Sequence, residues 1–327
     1  MPVGPNLGKS PSRPGTSARL CAIIRTMKKI AVLMGGKSSE REVSLVSGRN
    51  VAEALASLGK YEVVPVDLKE ENLDALPDGV DAVYIALHGG WGENGGVQAA
   101  LNARAIPYTG PGVRASQVAM DKVRTKTVLE RAAVPTAPWA LAGREAEASP
   151  LPLPVVVKPP RDGSSVGISK VTDAAGWRKA LDAAFACASM QGPDDTALVE
   201  AFVPGREFTV AVVDGKAWPV IEIVAKGGWY GYAEKYDSDE TRYPFLEDAG
   251  LAAELQALAV KAYRAVGCRG VTRVDFRVSP SGGCFVLELN TSPGFTSHSL
   301  VPKAGIKTGL TFAQVCDRIL ASADYDR

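Results

Sequence analysis

Glu288 and Asn290 stand two positions apart at the end of the run CFVLELN, and Arg273 and Asp275 stand likewise within VTRVDFRV. In an extended strand, side chains at i and i+2 share a face, so each pair turns two polar groups to one side. The runs are joined through SPSGG, a hairpin connection. A four-residue loop over positions 280–283 sets Asp275 opposite Glu288 and Arg273 opposite Asn290. Two carboxylates and an amide oxygen beside a guanidinium are costly to bring together unless a cation sits among them. Hard oxygen donors too few to form a cage suit Mg²⁺ that takes its remaining ligands from substrate phosphates. The same spacing would also serve an ion-pair ladder on an exposed sheet face.

Phosphates need positive partners. Lys158 closes the apolar run PVVVKP, and RDGSSVG follows at once. A glycine-rich loop lets backbone N–H groups approach phosphate oxygens closely, although a plain hairpin turn is spelled the same way. The stretch GGKSS is no Walker loop, because the first glycine of that motif would fall at Ala31. The dinucleotide fingerprint G-x-G-x-x-G is also missing, which disfavours a nicotinamide dehydrogenase. His88 ends AVYIALH and leads into a loop with Glu93 among Gly89, Gly90, Gly92, Gly95 and Gly96. That loop is too rich in glycine for ordinary packing, so His88 reads either as a structural residue or as part of a site.

The elements that must carry these groups alternate. KIAVLM, a helical segment from Glu40 to Leu58, YEVVPVDL and AVYIALH describe a parallel α/β unit. In such sheets ligands collect at the carboxyl ends of strands. A helix containing MDKVRTKTVLERA, the strand PVVVKP, a helix near 174–188 and the strands TALVEAFV and REFTVAVVDG follow. Residues 226–245 are rich in glycine and tyrosine with no helical or strand period, the mark of a functional lid. A helix over 252–266, the two polar-faced strands and a helix near 312–320 close the chain.

With 327 residues, the chain can build two or three domains with cores of their own. Its 37 lysines and arginines nearly cancel 36 acids, so nothing global points to nucleic acid or an anionic membrane. No apolar run approaches the ~20 residues of a spanning helix. Five unpaired-looking cysteines fit free thiols in a reducing cytoplasm. Residues 1–26 carry four basic residues and no acids around the short patch LCAII, which is below the ~7–15 residues of a signal peptide's apolar region. They read as a disordered extension upstream of Met27, with a transit peptide as the other reading.

Taken together, GGKSSEREVSL, HGGWGENGGVQ, YTGPGV, MDKVRTK, VVVKPPRDGSSVG, LVEAFVPGREFTV, AEKYDSDET, GVTRVDF and LELNTSPGFTSHSLVP resemble, in order, the ATP-grasp ligases, and within them the D-alanine–D-alanine ligase family. The resemblance runs from Met27 to Leu320 and implies a three-part α/β ATP-grasp fold. Its parts are an α/β subdomain for the first substrate (27–112), a subdomain with the phosphate loop (113–200), a subdomain with lid and magnesium site (201–321) and a tail (322–327).

The resemblance implies ATP as co-substrate and two Mg²⁺ (or Mn²⁺) ions held by Asp275, Glu288 and Asn290. Lys122, Lys158 and Ser165 would meet the phosphates, with Lys235 reaching the γ-phosphate from the lid. Glu200, Phe202 and Val203 would lie along the adenine, and Glu207 would hold the ribose. Glu40 would hold the first D-alanine's ammonium in a hydrogen-bonded set with Ser164 and Tyr236, and His88 would sit by its carboxylate. Arg273 and the Gly294 backbone would form an oxyanion site, and Ser299 and Leu300 would seat the second D-alanine. A homodimer in the cytoplasm is the family habit. His298 receives no role. Ala201 and the segment GGWYGY depart from the commoner pattern. A depsipeptide ligase generally lacks the lid tyrosine, and a non-catalytic nucleotide binder would not need an oxyanion site; both remain as alternatives.

Overall fold

The structure, a computed structural model, describes residues 27–163, 166–187, 189–190, 192, 195–225, 241–296 and 298–326. Its first sheet is parallel, in the order β2-β1-β3: β1 is Lys28–Gly35, β2 Tyr61–Leu68 and β3 Ala82–Ile85. Five central residues of β1, KIAVLM less its lysine, are fully buried because both faces are covered. Helix α1 (Arg41–Ser57) packs on one face with Val51, Ala52 and Leu55, while α2 (Gly96–Asn102) covers the other with Val97 and Leu101. Strand β3 stops at Ile85, so His88 stands three residues beyond it and not at its end.

The second sheet joins β4 (Trp139–Gly143), β5 (Val155–Lys158), β6 (Ser169–Val171) and β7 (Thr196–Ala201) in the order β4-β7-β5-β6. Val155, Val157, Ala197 and Val199 point into a core closed by α5 (Trp177–Phe185). By alternation Lys158 and Glu200 emerge on the opposite face. The single helix expected over MDKVRTKTVLERA is two: α3 (Val113–Met120) and α4 (Lys122–Arg131). Asp121 breaks the run with an extended backbone, and its carboxylate accepts from the N–H groups of Val123 and Arg124. It is therefore the N-cap of α4.

The third sheet holds β8 (Arg206–Val213), β9 (Lys216–Ala217), β10 (Ile221–Ile223), β11 (Val271–Val278) and β12 (Cys284–Asn290). Phe208, Val210, Val212, Val274, Phe276 and Val286 face α6 (Ala249–Val266), which starts three residues earlier than expected under an Asp248 cap. The far end of the stretch expected to be aperiodic is also ordered. Arg242 and Val224 exchange backbone hydrogen bonds, and Glu222 N–H donates to Pro244, so residues 242–245 run along β10. The rest of that stretch, 226–240, lies outside the described residues.

Two further helices, α7 (Leu300–Lys307) and α8 (Phe312–Leu320), return the chain to the first core. The α8 start is a capping box between Thr311 and Gln314. Beyond it Asp324 pairs with Tyr108, and Asp326 accepts from Val113 N–H at 2.8 Å. No helix among the described residues is long and apolar enough to cross a membrane.

Candidate active site

The two polar-faced strands pair as the spacing requires: Asp275 opposite Glu288, and Arg273 opposite Asn290. The route to that register differs from the expectation. Val278 pairs with Cys284, so the turn spans five residues and not four, and a bulge at Leu287 restores the offset before Glu288. The bulge also explains the burial pattern, in which Cys284, Val286 and Leu289 face the core while Glu288 and Asn290 face the site.

On that site face Arg273 donates to both carboxylate oxygens of Asp275, at 2.9 and 2.8 Å, and Thr209 on the facing strand donates to the same carboxylate at 2.6 Å. Next along the sheet, Arg277 meets Glu207 at 3.3 Å, and its Nε–H donates to the Val203 carbonyl at 3.2 Å. The ring of Phe202 meets the Lys170 ammonium at 3.7 Å and the Arg277 guanidinium at 5.8 Å from its centre. Glu288 is 3.6 Å from the ammonium of Lys122, which also donates to the Asp162 carbonyl at 2.7 Å. Asn290 Oδ1 is buried and accepts no hydrogen bond. A buried amide oxygen without a donor is expensive, and a cation is one partner that would satisfy it. Hard oxygens only, with the amide oxygen orphaned, fit Mg²⁺ or Mn²⁺. Among the described residues no three His, Cys, Asp or Glu side chains cluster as a complete metal cage, so the ion would need phosphate oxygens as well.

A cavity of about 700 Å³ opens in front of this face, lined by Arg273, Glu288, Asn290, Lys122, Glu40 and Ser299 among others. Glu40 sits at the start of α1, where the oxygen Oε2 of its carboxylate would lie 2.7 Å from any Cβ placed on Gly89. With φ at +66° Gly89 also occupies a backbone region that favours glycine. A Cβ placed on Gly163, which precedes Ser164 in the chain, would lie 3.8 Å from Glu40 Oε2. Ser164, Ser165, Lys235 and Tyr236 lie outside the described residues.

His88 is buried with defined partners. Its Nδ1 lies 2.9 Å from the Ser292 carbonyl, which can only accept, so Nδ1 carries the proton. Nε2, 3.0 Å from Ser47 Oγ, is left to accept the serine O–H, and Ser47 Oγ in turn accepts Phe295 N–H at 3.0 Å. Burial lowers the His88 pKa against the pull of Glu40 and of the Ser292 carbonyl, which favours neutral imidazole. Beside it, burial and the Glu40 charge push the Glu93 carboxyl up to about 8.

In the loop after β12, Ser299 Oγ accepts Thr296 N–H at 2.8 Å and sits where a Cβ on Gly294 would meet it at 3.0 Å. Leu300 begins α7 with its side chain in the first core, and His298, which had received no role, lines the cavity. Lys158 and Glu200 form a buried ion pair behind the phosphate loop, shared with Lys126. Sequence reasoning assigned no role to Glu93, Lys126, Ser47 or Thr209. Lys126 had a signal, since it follows Lys122 by one helical turn.

A parallel α/β sheet followed by two antiparallel sheets is the fold of the ATP-grasp ligase class. The chain belongs to the D-ala D-ala ligase family: the C-terminal family domain matches residues 123–321 and the N-terminal one residues 29–75. It is 45% identical over 311 residues to a D-alanine–D-alanine ligase of Janthinobacterium sp. (strain Marseille), covering 90% of this chain and 95% of that one. A D-alanine–D-alanine ligase of Bordetella petrii is 43% identical, with 97% of each chain covered. Among solved structures, the Bacillus anthracis D-alanine–D-alanine ligase complexed with ATP superposes with TM-score 0.78 at 30% identity, covering 90% and 97% of the two chains. The VanG D-Ala:D-Ser ligase of Enterococcus faecalis reaches 0.77 at 30% identity, covering 90% and 99%.

Proposed function

We propose that the protein joins two molecules of D-alanine into D-alanyl-D-alanine, with ATP converted to ADP and phosphate, for cell-wall precursor synthesis in the cytoplasm. The observation that carries the reading is the register of β11 against β12. It sets Arg273, Glu288 and Asn290 on the wall of one cavity that also takes in Glu40, Lys122 and Ser299, with Asp275 opposite Glu288 and bonded to Arg273.

Carboxylates are poor electrophiles, so the first D-alanine's carboxylate oxygen attacks the γ-phosphorus of ATP, and ADP leaves. Asp275, Glu288 and Asn290 would hold two Mg²⁺ ions, which would supply charge neutralisation at the phosphates. Lys122, Lys158 and Lys235 bind the phosphates. The segment from Glu200 to Val203, with Phe202 in it, lines the adenine, and Glu207 takes the ribose hydroxyls. Glu40 fixes the first ammonium together with Ser164 and Tyr236, and His88 stands near the same molecule's carboxylate.

The second D-alanine lies against Ser299 and Leu300. Its amine, having lost a proton, attacks the acyl carbon, and the resulting oxyanion is met by Arg273 and the backbone of Gly294. Phosphate then leaves and the C–N bond remains. Residues 27–112, 113–200 and 201–321 act as three subdomains, and the working form is a homodimer.

Mg²⁺-dependent phosphate release with D-alanine, together with a product of dipeptide mass, is the expected result. Equal turnover with L-alanine, or none with either isomer, overturns the reading. The likeness to VanG means that the fold does not discriminate among second substrates. D-serine and D-lactate therefore belong in the panel, and a faster reaction with either would replace D-alanine at the second site.

A further inference from the structure

Lys126 is 1% exposed, and desolvation makes a lone buried ammonium costly. Its ammonium stays inside the protein. It donates to Thr136 Oγ1 at 2.6 Å and to the Ala137 carbonyl at 3.2 Å, and pairs with Glu200 Oε1 at 2.5 Å. An ammonium so enclosed is out of a ligand's reach. Thr136 Oγ1 passes its own proton to the Val286 carbonyl at 3.0 Å, which ties the group to β12, the strand of Glu288 and Asn290. Lys126 is thus fixed in place, one helical turn from Lys122, yet does not face the cavity.

The charges along this wall are unequal. Asp275 is met by Arg273, Glu207 by Arg277 and Glu288 by Lys122. Among the described residues Glu200 has two ammonium partners, Lys126 and Lys158. These two ammonium groups share one carboxylate. Burial would lower the Lys158 pKa, but Glu200, with Glu288 and Glu207 behind it, outweighs that and raises it. For Glu200, the two lysines outweigh burial and hold the carboxyl below its usual range. At Lys126 burial outweighs the pull of Glu200 and lowers the pKa, while the geometry sets two ammonium groups against one carboxylate beside the phosphate loop.

We propose that Lys126 is a positioning residue for anion binding: by neutralising Glu200 it leaves the charge of Lys158 available to the nucleotide's phosphates. The proposal deepens the nucleotide reading above and rests on it. Without Lys126, Glu200 and Lys158 collapse into a neutral pair, and the phosphates lose a full charge at short range in a medium of low dielectric.

Charge counting makes the test specific. Affinities for ADP and for adenosine are measured on wild type, Lys126→Met and the double variant Lys126→Met/Glu200→Gln, and the ratio of the two isolates the phosphate contribution. In Lys126→Met the ratio is expected to fall at least about tenfold, which corresponds to about 1.4 kcal/mol. In the double variant, where the carboxylate is gone too, it is expected to return to within about threefold of wild type, since a ratio that close differs by less than about 0.7 kcal/mol. An unchanged ratio in the single variant overturns the proposal, as does one that stays depressed in the double variant. If Lys126→Met does not fold, the double variant alone decides by the same criterion. Wild type that binds ADP no better than adenosine would remove the nucleotide reading itself, and the proposal with it.

Discussion

Asn290 Oδ1 is a buried acceptor left without a donor, which costs about 1–3 kcal/mol and which the proposed ion would relieve. Asn290→Leu keeps the volume and removes the oxygen, so the Mg²⁺ concentration for half-maximal turnover should rise about tenfold or more, as loss of about 1.4 kcal/mol of binding requires. Glu288→Gln should cut turnover at least about a hundredfold, the scale of losing one electrostatic group from a reacting centre, while circular dichroism stays native. Retained activity in either variant would mean that the oxygens do not hold the ion. Glu93 offers a pH test. Its folded pKa of about 8 lies above the ordinary 4.5, so the folded state keeps a proton that the unfolded chain loses between those values. This group's contribution to stability is whole below the lower value and is lost as pH rises towards the upper. Glu93→Gln cannot ionise, so its urea midpoint should decline less than wild type's across that window; parallel declines would refute the assignment. The types of these residues were legible in the sequence, but their protonation was not, because it depends on burial by α1 and the 291–296 loop, far away in the chain.

At the scale of elements, the hairpin β11–β12 shows where periodicity helped and where it misled. Alternation put Asp275 and Glu288 opposite each other, and the structure agrees, but a longer turn and a bulge cancel to give that result. The spacing Cys284, Val286, Leu289 carries the bulge, since the apolar interval changes from two to three. The split at Asp121 was likewise written as a capping residue inside an otherwise helical run. Asp121→Ala should cost about 1 kcal/mol in urea unfolding, the usual value of an N-cap. Gly205, in the turn from β7 to β8, has φ +118°, and a Cβ there would lie 2.1 Å from the Val278 carbonyl oxygen. Gly205→Ala should therefore destabilise by about 3 kcal/mol, the upper end of local backbone strain. An unchanged midpoint would show that the turn relaxes freely.

For the whole molecule, the parallel first sheet was readable from alternating runs, whereas the core against α6 joins residues 115–134 to strands far along the chain. What was not readable is how the sheets meet. The first core recruits Ala211, Val213, α7 and α8 from the far end of the chain, and the positions 324–326, expected to be a mere tail, bond to Tyr108, Asn102 and Val113. Removal of residues 322–327 should then lower the thermal midpoint by about 1–2 °C for each ~1 kcal/mol lost, the scale for a chain of this size. An unaltered midpoint would assign the tail no part in stability. The exposed turn at 280–282 has a use in the laboratory. It lies on the outer side of the irregularity at Leu287, which separates it from the polar site face. A peptide tag or fluorophore-bearing insert spliced there should leave turnover untouched, whereas deleting Leu287 alone would rotate Glu288 and Asn290 into the oily interior.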